Sequence, residues 1–181
     1  MRIYSYILKY DTGFAPCIEN SLLTLATCKP LIRSSAKIGD IIIAFYSKNE
    51  KKYNYAMAYI AVITEKMDFK EYYNKFKNRR DCIYNDKLEQ IPNIYHNCMH
   101  VNTDLNGKYV LLSNDFIFFG NKNVKISEIY TDMIPKRNHL SEQNNKFIDR
   151  FPKYFLELKK KYGLDNSGRH IHDNNIMVLN C

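Results

Sequence analysis

The 181-residue chain has no tryptophan, only six glycines and five prolines. So little glycine and proline excludes collagen-like and linker-type compositions. No apolar run approaches the roughly 18 residues of a membrane span, so no membrane partner is expected. No glycine-rich loop joins a strand to a helix, so the phosphate-loop and dinucleotide fingerprints are missing. The nucleophile elbow and the zincin helix are missing too, and the sequence names no cofactor. Five cysteines is an odd count, so complete internal pairing is impossible. Met1 to Tyr10 lacks the small-residue cleavage site of a signal peptide. Reduced thiols and a cytoplasmic location are the expectation.

What is present describes a folded protein: 45% hydrophobic and 25% charged residues, in a length that suits one domain or one domain with a helical appendage. All aromatic content lies in 15 Tyr and 10 Phe, and tyrosine offers stacking surface as well as core. Lys and Arg number 27 against 19 Asp and Glu, a net charge of +8. That balance favours a polyanion, meaning nucleic acid, nucleotides or an acidic membrane, although solubility alone also accounts for it; nucleotide or DNA is the expected partner.

Met1 to Tyr10 alternates as a strand, with Tyr4, Tyr6 and Leu8 on one face, and Asp11-Thr12-Gly13 ends it. Ser21 to Thr27 is expected to hold a short strand or helical turn. Ile41 to Tyr46 reads as a buried strand after the Gly39-Asp40 turn, and Tyr53 to Glu65 as its long partner. Asp68 is placed to cap a helix over Phe69 to Lys77. Ile94 to Val101, Tyr109 to Ser113 and Asp115 to Gly120 follow as shorter strands. Ser141 to Tyr162 is the longest helical pattern, with a break expected at Pro152. Adjacent strands with few intervening helices predict an α+β fold: a small, mainly antiparallel curved sheet or PUA-like barrel, with flanking helices and a C-terminal helix. Residues 1–135 are expected to form the main domain, and 136–181 a helix and polar tail packed on it.

Four groups of residues carry candidate chemistry. Asp11-Thr12-Gly13-Phe14-Ala15-Pro16 puts a carboxylate and a hydroxyl at a strand end, where a glycine lets a ligand approach; a strand-terminating turn is the plainer alternative. Within Thr24 to Arg33, Lys29 and Arg33 are candidate phosphate holders and Cys28, beside Lys29, a candidate nucleophile. A buried apolar role for Cys28 is the plainer alternative. In Tyr95-His96-Asn97-Cys98-Met99-His100, three metal-ligating side chains share a face if the segment is extended, but the spacing is not that of a known finger. His96 as an acid, base or base-edge donor is preferred. Finally, Tyr46, Tyr53, Tyr55 and Tyr59 near the Gly39-Asp40 turn offer either base stacking or ordinary strand packing.

Taken in order, Met1 to Tyr6, Asp11 to Pro16, Thr24 to Pro30 with Ile32-Arg33, Gly39-Asp40, Asn93-Ile94-Tyr95-His96, and Ser113 with Phe116 to Gly120 resemble the nucleotide modification associated domain 2 family. The resemblance runs over roughly the first 130 residues. It implies a bacterial or phage protein acting in base or nucleotide modification. Its matching polar positions are Asp11, Thr12, Cys28, Lys29, Arg33, Asp40, Tyr95 and His96. Of these, Asp11, Cys28 and His96 are the expected catalytic candidates, and Thr12, Lys29, Arg33, Asp40 and Tyr95 the nucleotide and phosphate contacts. A similarity of the Gly-Asp turn to PUA-like modified-base readers concerns the fold. A non-catalytic reader of altered bases and a phage-type interaction protein remain the alternatives.

Overall fold

β-Branched and aromatic side chains, interrupted only by Ala44, run from Ile41 to Tyr46 and leave no polar face, so this segment is a strand only if both of its faces are covered. In the computed structural model, which describes residues 1–94, 96, 101–136, 139–142, 145–163 and 168–172, it is covered on both. Strand β4, Ile41–Tyr46, lies inside a five-stranded sheet and is buried throughout. Its neighbours are β1, Ile3–Leu8, in parallel, and β5, Met57–Val62, antiparallel. β8, Asp115–Phe118, and β9, His139–Glu142, form the two edges.

The chain divides into two units, each assembled from separated stretches. The first comprises Met1–Lys9, Gly39–Ile63 and Asp115–Ile171 and contains the five-stranded sheet. Its core joins Ile41, Ile43, Phe45 and Ile60 of the sheet to Tyr130, Phe147, Phe151, Phe155 and Leu158. The last three recur at helical spacing on α5, Phe151–Tyr162. Fully burying each such side chain contributes about 1.5–3 kcal/mol.

The second unit comprises Tyr10–Ile38, Thr64–Asn114 and His172–Cys181. Its sheet is antiparallel throughout: β2 (Cys17–Glu19), β3 (Leu22–Leu25), β7 (Tyr109–Ser113) and β6 (Glu65–Asp68), in that order. Short helices α1, Pro30–Ser35, and α3, Val101–Leu105, accompany it. Helix α2, Phe69–Phe76, starts in a capping box: Asp68 accepts from the Glu71 amide, and the Glu71 carboxylate accepts from the Asp68 amide.

The fold is α+β and mainly antiparallel, as the strand runs indicated, with a C-terminal helix. Both sheets are open, so the barrel alternative is not formed. The expected strand over 53–65 is shorter, and its end turns into β6 of the other unit. The helical pattern expected from Ser141 is broken next to Pro152, as expected, but does not begin at Ser141. The segment His139–Glu142 pairs with β1 as an edge strand; α4, Asn145–Ile148, follows, and α5 begins afresh at Phe151. Pro152 sits in the first turn of α5, where its missing N–H costs nothing.

Candidate functional site

Helix α1 brings Arg33 into the interior of the second unit, where it is fully buried. Its Nε donates to Cys28 O at 2.7 Å, Nη1 to Tyr109 O at 2.7 Å and Nη2 to Asp104 O at 2.6 Å. The guanidinium therefore ties the loop before α1 to α3 and β7. Gly107 makes room for it: a Cβ there would stand 2.3 Å from Arg33 Cζ.

Asp104, on α3 and 1% exposed, is the centre of the cluster. Its Oδ1 accepts from the Cys28 amide at 2.8 Å and lies 3.9 Å from Arg33 Nη2. Its Oδ2 accepts from the Tyr84 hydroxyl at 3.2 Å and lies 2.7 Å from His96 Nε2, in a contact too bent for a well-formed hydrogen bond. On the other side of the ring, the Gln90 side-chain nitrogen is 3.0 Å from His96 Nδ1. An amide nitrogen only donates, so Nδ1 accepts, and the proton of the neutral imidazole sits on Nε2, against Asp104. The Phe14 ring lies 5.7 Å from the imidazole, which brings the Asp11 to Pro16 motif to the same cluster.

The loop into α1 is backbone-strained. Cys28 and Lys29 both have left-handed φ, 57° and 45°, although neither is glycine and Lys29 precedes a proline. Each such residue costs about 1–3 kcal/mol and persists only where its surroundings over-determine it. The surroundings do so at Cys28: its amide is bound by Asp104 and its carbonyl by Arg33. The Cys28 and Lys29 side chains are half-buried at the edge of this clamp. Thr12 and Thr27 are buried nearby in sequence, and neither hydroxyl has a hydrogen-bond partner among the described residues. An unsatisfied buried hydroxyl costs about 1–3 kcal/mol.

Several motifs expected to meet do so. Phe14 of the first motif, Cys28 and Arg33 of the second, and His96 of the third converge around Asp104 or its imidazole neighbour. Arg33, expected to hold phosphate, is instead sealed and bonded to three carbonyls, which makes it a positioning residue. Asp11 is buried, with its backbone N–H and C=O joined to His172 at 3.0 Å each. Asp40 lies in the first unit, where its Oδ1 accepts from the Arg2 amide at 2.7 Å beside the β1–β4 pairing. Tyr95, Cys98 and His100 fall outside the described residues; among those described, no group of three metal-ligating side chains gathers. Tyr46 and Tyr59 are buried in the first unit, and Tyr59 and Tyr6 hydroxyls are 2.9 Å apart. They are core packing, the plainer of the two expectations.

Sequence reasoning missed Asp104, Gln90 and Tyr84, which lie in polar stretches with no motif spacing. It also missed a second buried cluster in the same unit. Asp81, fully buried, accepts from Thr24 Oγ1 at 2.5 Å and Tyr72 OH at 2.7 Å, with Arg79 Nε 3.6 Å away. Arg79 also donates to the carbonyls of Glu19, Cys17 and Leu22. Burial pushes the Asp81 carboxyl above the usual range, outweighing these donors and the Arg79 charge. Burial likewise pushes up the thiol of Cys17, helped by Asp81, and that of Cys82 to about 12, so both stay protonated at neutral pH.

With this geometry in place, comparison with known families is decisive for class. The family model of nucleotide modification associated domain 2 matches residues 1–170, which spans both units apart from the last residues. The chain belongs to that family. No curated protein and no solved structure matches it.

Proposed function

We propose that the chain recognises or modifies a nucleotide or DNA base in a nucleotide-modification system, using the Asp104-centred cluster of the second unit. The observation that carries this reading is the convergence of three sequence-distant motifs: Cys28 with Arg33 and His96 on the buried Asp104 carboxylate, and Phe14 on the His96 ring. Asp104 orients His96 and fixes the strained Cys28-Lys29 loop, so both are held without reorganisation when a ligand arrives. Lys29, at the edge, supplies the phosphate contact, and the unpartnered Thr12 and Thr27 hydroxyls are hydrogen-bonding capacity for a ligand or an ordered water. Asp11, Tyr95 and His96 are the proposed base contacts. A base within a duplex would have to be flipped out to reach this cluster.

The test is titration with nucleoside 5′-monophosphates and with short oligonucleotides carrying modified bases, at two salt concentrations. Lys29→Gln removes the charge and keeps most of the side chain. The expected result is an affinity weaker by about tenfold, the usual scale of one charge-assisted hydrogen bond, with salt weakening the wild type more than the variant. Equal affinity in the variant would remove Lys29 from the site. Loss of activity in Cys28→Ser with binding retained would assign turnover rather than reading; alkylation of Cys28 without effect on function would assign a reader.

A further inference from the structure

The excess positive charge of this chain is not shared between its units. The first unit contains 16 Lys and Arg against nine Asp and Glu, whereas the second contains 11 against 10. Almost all of the net +8 therefore belongs to the unit that does not contain the Asp104 cluster.

Part of that charge is arranged in a line. Helix α5 buries Phe151, Phe155 and Leu158 and exposes Lys153, Leu156, Glu157, Lys160 and Lys161, which recur at intervals of one helical turn on its outer face. Arg150, at the N-cap and exposed, extends the line by a turn. Lys159, by contrast, is held by Asp115. Arg150, Lys153, Lys160 and Lys161 have no ion pair among the described residues, while Asp149 and Glu157 are the acidic groups beside them. From Lys153 to Lys161 the line is about 12 Å long, and duplex DNA presents a charge about every 1.7 Å of its axis. The face thus meets more phosphates than it has cations to neutralise. It holds one large apolar residue, Leu156, 55% exposed, and its apolar stripe is already used in the core. An interfacial membrane helix needs that stripe free to enter the lipid, which argues against an anionic bilayer.

We propose that the outer face of α5 docks the phosphate backbone of DNA, without sequence preference. Nucleotide handling and backbone docking are thereby assigned to different units. The proposal extends the functional reading above but is tested separately from it.

The experiment compares binding of a 20-base-pair duplex to three full-length proteins across a salt series. These are the wild type, the triple variant Lys153→Ala, Lys160→Ala, Lys161→Ala, and a control of equal charge in the second unit, Lys70→Ala, Lys77→Ala, Lys87→Ala. All six positions are exposed. Each lost phosphate contact should lower the slope of log affinity against log salt by about 0.9. The α5 variant should therefore lose about 2–3 in slope and at least tenfold in affinity at low salt, with the control within twofold of wild type. An equal loss in the control would mean that net charge alone acts and would overturn the proposal. So would an unchanged α5 variant, or binding to anionic phospholipid vesicles with none to DNA. Monophosphate binding in the α5 variant should equal wild type. If monophosphates fail to bind any protein while the duplex result holds, the functional reading falls and the docking face stands.

Discussion

In the first unit, Phe151, Phe155 and Leu158 close an apolar core over the sheet, and Asp40, accepting from the Arg2 amide beside β1, is its buried charged residue among those described. In the second unit, Arg33, Asp81, His96 and Asp104 are all buried. Both arrangements fill an interior, but they do different work. A buried ionic group is often no more stable than an apolar replacement of the same volume, so ion pairs are a poor way to gain stability. What they provide is position. The Arg33–Asp104 pair holds one residue of the strained loop, Cys28, by both its N–H and its C=O, which apolar packing cannot do. The contrast teaches that the first unit is built for packing, and the second for holding particular atoms in place.

The comparison can be broken most forcefully at Asp104. Asp104→Ala leaves Arg33 buried without its carboxylate, and a loss of about 3–5 kcal/mol is expected in urea unfolding. Phe151→Ala should cost a similar ~3–5 kcal/mol by opening a cavity. The two should differ in character: the Phe151 effect should be flat with pH, and the Asp104 effect should also abolish nucleotide binding. Gly107→Ala comes next. The clashing atoms belong to the end of a long side chain, but three carbonyl bonds lock that end, so about 1–3 kcal/mol is expected. Retained stability there would mean the guanidinium is free to move.

Asp81 sharpens the contrast through pH. Its carboxyl is raised in the folded state above its ordinary 3.8, so the native protein takes up this proton before the unfolded chain does. Stability from this group is therefore full below pH 3.8 and is lost as pH rises through the raised folded value. Asp81→Asn lacks that dependence, and the wild type should gain on the variant as pH falls from neutral. A parallel pair of unfolding curves would contradict it. The smallest effect is expected at Asp68→Ala, which removes the α2 cap for about 1 kcal/mol, measurable as a shift in urea midpoint.

Local patterns were the legible part of the fold. The β-branched run of β4 and the Asp68 cap needed only neighbours in sequence, and both are present. The Phe147 to Leu158 spacing found the buried face of α5 but not where the helix begins. Pairing with β1 draws His139–Glu142 into an edge strand, a tertiary effect that periodicity cannot register. At the site, the motif residues Phe14, Cys28, Arg33 and His96 were identifiable as a set. Their organiser was not, because Asp104 stands two residues before Asn106-Gly107, a dipeptide that signals a turn and carries no site chemistry. Arg33 was misjudged for a related reason: a basic residue beside a Thr-Cys-Lys-Pro stretch suggests phosphate, and only the fold supplies the three carbonyls that occupy it.

Hydrogen–deuterium exchange with and without a saturating nucleoside monophosphate tests the central claim most directly. The account predicts slowed exchange in peptides covering residues 11–16 and 27–33, the segments tied to Asp104 and His96. Protection confined to the first unit, with 27–33 unchanged, would contradict it.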